Sequence, residues 1–252
     1  MCQDVEMTWN RKASLHRWLT WGGLVTLALV SAAAAWFAYS TVYTAAASTN
    51  DPSSQGAPGA VNTQQTSAVF IGDQFSTQRS VQLGGSLWTS EIARANSWVE
   101  KNWSTSGMGF VHRPAGAACN ASECGNVLDQ VPRVVAENPK VVFVSTGDAD
   151  IKEEPEKVKA SIASTFDALK IGLPQTQIVA IGPASVSQAP KPELVAIDGF
   201  VRTAAKNSGA TYISLLNPKA LDESMVSSNG QILNPSGQKA LVTRISESLN
   251  LK

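Results

Sequence analysis

The stretch Lys140–Asp150, KVVFVSTGDAD, decides the fold. Val141, Val142, Phe143 and Val144 run without a polar interruption, and Ser145, Thr146, Gly147 and Asp148 end the run abruptly. A strand with one face in water alternates apolar and polar residues. An unbroken β-branched run instead marks a strand covered on both faces, as in a parallel sheet between helical layers. Three other segments share the pattern: Ala68–Ile71 ends at Gly72 and Asp73, Gln177–Ile181 at Gly182 and Pro183, and Ala210–Ile213 at Ser214. A further short strand is expected near Asn102–Ser104.

Helical patterns separate these runs. Val158, Ile162, Phe166 and Leu169 follow a 4-4-3 spacing, which draws one apolar stripe along a helix. The last helix has a sharp start. Asn234 suits the N-cap, Pro235 the first helical position, and Leu241, Ile245 and Leu249 form the stripe. Strands alternating with helices through right-handed crossovers predict an α/β protein, a three-layer α/β/α sandwich. Function in such sheets gathers at the carboxyl ends of the strands. The loops that matter therefore begin at Gly72, Asn102, Ser145, Gly182 and Ser214.

Upstream of the first strand the chain changes character. Residues 1–17 carry Arg11, Lys12 and Arg17, and no charge follows from Trp18 to Asn50. The apolar segment 18–43 is long enough to cross a bilayer core of about 30 Å as a helix. Trp18 and Trp21 near one end, with Trp36, Tyr39 and Tyr43 toward the other, match interfacial aromatic belts. Cations precede this segment, so residues 1–17 are expected in the cytoplasm and the remainder outside, in a single-pass cell-membrane protein. A secreted form, cleaved near Ala45–Ser48, is the alternative. Residues 44–67 are rich in Ala, Ser, Gly, Pro and Gln and read as a flexible tether. One extracytoplasmic domain, 68–252, remains.

Composition removes several function classes. Apolar residues make up 43% of the 252 and charged residues 16%, which supports a packed core and excludes wholesale disorder. Lys plus Arg equals Asp plus Glu at 20 each, leaving no broad basic surface for nucleic acid. Three cysteines, Cys2, Cys119 and Cys124, make neither a disulfide-dense scaffold nor a four-ligand zinc site, and no metal or other cofactor is expected.

Four loop motifs stand in order at the carboxyl ends: VFIGDQFS at 69–76, SGMGF at 106–110, VVFVSTGDAD at 141–150 and NGQILNPSG at 229–237. Together they resemble the blocks of the SGNH (GDSL-like) hydrolase family, particularly its exported actinobacterial members. The resemblance spans the extracytoplasmic domain and implies a flavodoxin-like parallel sheet. It also implies a pocket for esters of acylated sugars, lipids or related envelope components. The catalytic positions depart from the family. Gln74 stands where the resemblance puts the nucleophilic serine, Ala149 at the oxyanion-hole asparagine, Asn229 at the triad aspartate and Ile232 at the triad histidine. Gly107 keeps the oxyanion glycine. An amide is no useful nucleophile and isoleucine accepts no proton, while loss of one triad member alone costs on the order of 10⁴-fold or more in rate.

Substitute groups are few. His112, just past the Gly107–Gly109 turn, reads either as a relocated base or, more plainly, as a polar loop residue. Ser76 reads as a displaced nucleophile or as a residue bonded to local backbone, the reading favoured here. Asp73, Asp148 and Asp150 could gather for cation binding or acid–base chemistry; the plainer reading has Asp73 and Asp150 holding loops, as in the family, with Asp148 the unusual addition. Cys119 and Cys124 are expected to close a loop as a disulfide, as in exported members of the family, with a metal pair including His112 as the rival. The expectation is an envelope binding or scaffolding module with lost hydrolase machinery, its candidate pocket lined by Asp73, Gln74, Gly107, Asp148, Asp150 and His112. A divergent esterase or acyltransferase using His112 and Ser76 is the alternative.

Overall fold

The computed structural model describes residues 66–77, 85–114, 125–227 and 232–251. The expected membrane segment, all but the last two residues of the tether, Cys119, Cys124 and Asn229 lie outside them. Among the described residues no helix is long and apolar enough to cross a membrane.

Five strands form one sheet: β1 Ser67–Gly72, β2 Val99–Asn102, β3 Val141–Ser145, β4 Gln177–Ile181 and β5 Thr211–Ile213. All pairings are parallel, in the order β2-β1-β3-β4-β5. That is the flavodoxin-like order, with its switch point between β1 and β3. Five helices cover the sheet: α1 Trp88–Ala95, α2 Val127–Glu137, α3 Pro155–Gly172, α4 Pro192–Ser208 and α5 Pro235–Leu249.

Strand alternation sorts the core into two halves. Val69, Ile71, Val142, Val144, Ile178 and Ala180 pack with buried residues of α2, α3 and α4. Their neighbours along the same strands, Ala68, Phe70, Val141, Phe143, Val179 and Ile181, pack with α1 and α5. Both faces are dry, which is why these strands show no polar alternation. Phe70 stacks on Phe143 at 4.7 Å between centroids, and Trp88 meets Phe70 edge-on at 5.5 Å.

The helix readings hold at residue level. Val158, Ile162, Phe166 and Leu169 are all buried along α3. Asn234 caps α5, its side chain accepting from the N–H groups of Ser236 and Gly237, and Pro235 opens the helix. Leu241 and Ile245 are buried while Leu249 is half-buried.

Two boundaries differ from expectation. The second strand is Val99–Asn102, ahead of the Asn102–Ser104 expected. It is an edge strand, half-buried throughout, and carries Glu100 and Lys101, so it leaves no apolar run to find. Beyond it, Trp103 and Thr105 still donate to Phe70 and Gly72 of β1. The first strand takes in Ser67, which the tether was expected to contain, because that residue is in register with Val99.

Candidate functional site

Register builds the site. Gly72 lies opposite Ser145, and the Asp73 N–H donates to the Ser145 carbonyl, so the turns leaving β1 and β3 emerge side by side. After β1 the chain makes a single 3-10 turn, Gln74–Ser76, capped by the Asp73 carboxyl, which accepts from the Phe75 N–H at 3.1 Å. After β3, Gly147 takes φ 137° and leads into a second 3-10 turn, Asp148–Asp150. A side chain at Gly147 would be strained by that φ and would meet Ile197.

Three of the expected pocket residues meet there. Gln74 Nε2 donates to Asp148 Oδ2 at 2.5 Å. Asp73, buried beside them, has its pKa raised well above the usual 3.8, first by burial, then by the negative charge of Asp148 and a side-chain hydrogen bond with it. Asp148 Oδ1 is buried and has no hydrogen-bond partner among the described residues. The raised value favours the protonated form of Asp73, a neutral carboxyl beside the negative charge of Asp148.

That proton makes a pH prediction. With the folded pKa above the unfolded one, folded protein retains a proton that unfolded chain has released. The stabilisation is complete below the unfolded value near 3.8 and is lost as pH rises through the raised folded value. Asp73→Asn, whose amide can donate to Asp148 at every pH, is expected to reduce the decline in urea midpoint between about pH 4 and 7 and to be at least as stable as the parent at neutrality. An unchanged pH slope would refute the retained proton. A residual slope is expected from Asp150 and Asp198, both also raised mainly by burial.

Asp150 does structural work. Its buried carboxylate accepts from the N–H groups of Phe110, Val111 and His112 at 2.6, 2.9 and 2.8 Å. Thr146 donates to the Met108 carbonyl and Ser161 to that of Phe110. The segment carrying Gly107 is thereby clamped onto the ends of β3 and α3. Gly109 must be glycine, since a Cβ would fall 2.4 Å from Asp150 Oδ1. Gly107 sits in a turn at φ 82°, and its N–H makes no hydrogen bond among the described residues.

The other expected positions fall elsewhere. Ala149 is half-buried in the second turn. His112 is exposed, with its ring Nδ1 3.4 Å from Glu153 Oε1, and makes no hydrogen bond to Asp73, Gln74 or Asp148. Ser76 is buried, and its hydroxyl, pressed under Gly72, finds no partner among the described residues, so the local backbone bond expected for it is not made. Ile232 donates to Ser227 Oγ through its backbone. Among the described residues no group of three or more His, Cys, Asp or Glu could hold a metal ion.

A cavity of about 340 Å³ adjoins this cluster, lined by Asp148, Ile151, Ser185, Ser187, Lys191 and Leu194 among others. A larger hollow, about 510 Å³, opens at the amino ends of the strands beside Thr66 and Lys140, away from where α/β sheets place their sites. Sequence reading missed Ser185, Ser187 and Lys191, because a polar loop before a helix gives no sign of facing another crossover's carboxylate. It also missed Asp198, which accepts from the Tyr212 hydroxyl at 2.5 Å and lies against Gly182. With the phenol buried and bonded to this carboxylate, the Tyr212 pKa is pushed up to about 12.

Three solved structures illustrate the similarity of fold. TesA matches at 16% identity and TM-score 0.55, over 73% of this chain and 98% of its own. LAE5, an α/β hydrolase from the metagenome of Lake Arreo, Spain, matches at 12% and 0.55, over 73% and 95%. Axe2, an acetylxylan esterase from Geobacillus stearothermophilus, matches at 14% and 0.54, over 74% and 95%. No protein-family model and no curated protein matches the sequence. The likeness is one of fold: this domain has the SGNH hydrolase-like architecture.

Proposed function

We propose that this is a non-hydrolytic SGNH-fold module that binds a ligand at the cell envelope, held there by the apolar segment 18–43. The observation that carries the reading is Gln74. An amide stands where the resemblance puts the nucleophilic serine, and its Nε2 donates to Asp148. Catalytic mutants of Axe2 replace a serine and a histidine, the residue types that the resemblance puts at Gln74 and Ile232. Acyl transfer needs an oxygen nucleophile, a base and oxyanion donors; here the Gly107 N–H is the retained donor. The chain's two histidines are His16 and His112, and the latter is engaged with Glu153.

The full chain is expected to give no turnover of short acyl esters beyond that of its Gln74→Ala variant, and no serine labelling by a fluorophosphonate. Turnover that vanishes in Gln74→Ala, or labelling of Ser76, would replace this reading with the divergent esterase.

A further inference from the structure

We propose that the cavity lined by Asp148 and Lys191 binds a small zwitterion, an aliphatic α-amino acid bearing one ammonium and one carboxylate. This rests on the binding-module reading above and deepens it by giving the ligand class. At about 340 Å³ the cavity lies near the lower end of the range of ligand sites, about 300–1,000 Å³, which suits a single small molecule.

Its lining carries both charges. Asp148 is half-buried and oriented by the Gln74 amide. Among the described residues no Lys, Arg or His lies within ion-pair distance of it. The nearest ionisable neighbour identified is Asp73, another acid. A partly desolvated carboxylate beside a second acid, with no cation, is a place that an ammonium would stabilise. Lys191, also in the lining, caps α4, where the positive end of the helix dipole reinforces its charge. Its carbonyl accepts from both Leu194 and Val195, which holds the turn in place. Lys191 makes no ion pair among the described residues, with Asp148 or any other acid. A ligand with both charges can engage both groups at once.

The remaining lining fits the rest of such a molecule. Ile151 and Leu194 supply apolar surface for a short aliphatic side chain. Ser185 Oγ accepts from the Ser187 N–H and keeps its own proton to donate. Lys219 holds this loop by donating to the Val186 carbonyl at 2.9 Å.

Saturation-transfer NMR titration of the full chain tests the proposal with four probes: leucine, isoamylamine (no carboxylate), 4-methylvalerate (no amine) and glucose. Leucine is expected to bind, with the amine and the acid each about tenfold weaker or worse, the scale of one charge-assisted contact. Asp148→Asn and the exposed Lys191→Gln should each weaken leucine binding about tenfold while circular dichroism stays unchanged. Equal binding of leucine and isoamylamine, parental affinity in the Lys191→Gln variant, or binding of glucose alone would overturn the proposal. Glucose binding without ester turnover would leave the binding-module reading standing. Ester turnover dependent on Gln74 would remove that reading, whatever leucine does.

Discussion

Asp150→Ala is expected to lower the unfolding free energy by about 4 kcal/mol, a large part of the roughly 5–15 kcal/mol typical of a domain. Alanine leaves three backbone donors without their acceptor at once. The Phe110 N–H belongs to a buried residue and that of Val111 to a half-buried one, so neither is readily rehydrated. Each orphaned buried donor costs about 1–3 kcal/mol. The His112 N–H, on an exposed residue, can turn to water and adds less. Asp150→Asn should fall between: its oxygen can keep the Val111 and His112 bonds, while its amide opposes the Phe110 N–H. Urea unfolding at pH 7 reads all three proteins. A midpoint for Asp150→Ala within experimental error of the parent would show that the 105–114 segment is not held by this carboxylate.

Phe143→Ala is expected to cost about 3–5 kcal/mol, the range for deleting a buried aromatic ring. Phe143 is fully buried in the central strand β3, stacked on Phe70 with planes 6° apart and approached edge-on by Trp88 at 6.3 Å. Rings on both sides are themselves packed between sheet and helix, so the space cannot collapse cheaply. Phe143→Leu keeps most of the volume and should lose about half as much or less. Since Trp88 and Trp98 both flank the ring, intrinsic fluorescence should shift with the alanine variant before any unfolding. A loss below about 1 kcal/mol would mean that this face of the sheet is loosely packed.

These variants separate the scaffold from the site it carries. Asp150 and Phe143 maintain the frame, whereas Gln74 and Lys191 face the cavity or the cluster beside it and should tolerate substitution with little change in stability. Asp73 belongs to both groups: it caps the first turn, and burial and the charge of Asp148 raise its pKa.

Much of the frame was legible in the sequence because burial on both faces writes itself into consecutive residues. Val141–Val144 and the Val158–Leu169 stripe announce their environment without reference to any partner. Asn234 and Pro235 mark the start of α5 by local chemistry alone. The edge strand β2 was expected a few residues too late, near Asn102–Ser104, because it is only half-buried and Glu100 and Lys101 break its pattern. The site was only partly legible. The departures at Gln74, Ala149 and Ile232 are visible in the string, and so is the loop-holding reading of Asp150. The engagement of Gln74 with Asp148, of His112 with Glu153 and the cavity wall at Lys191 are not.

The sequence by itself determined the layers, the dry faces of the central strands and the kinds of side chain delivered to each carboxyl-end loop. Tertiary structure alone decided which of those side chains touch, that burial beside Asp148 raises the Asp73 pKa, and that Asp148 and Lys191 line one cavity. The reason is physical. Burial leaves a periodic trace along the chain, whereas partners from different crossovers are brought together by the register of β1 on β3 and the placement of α4, which no local pattern encodes.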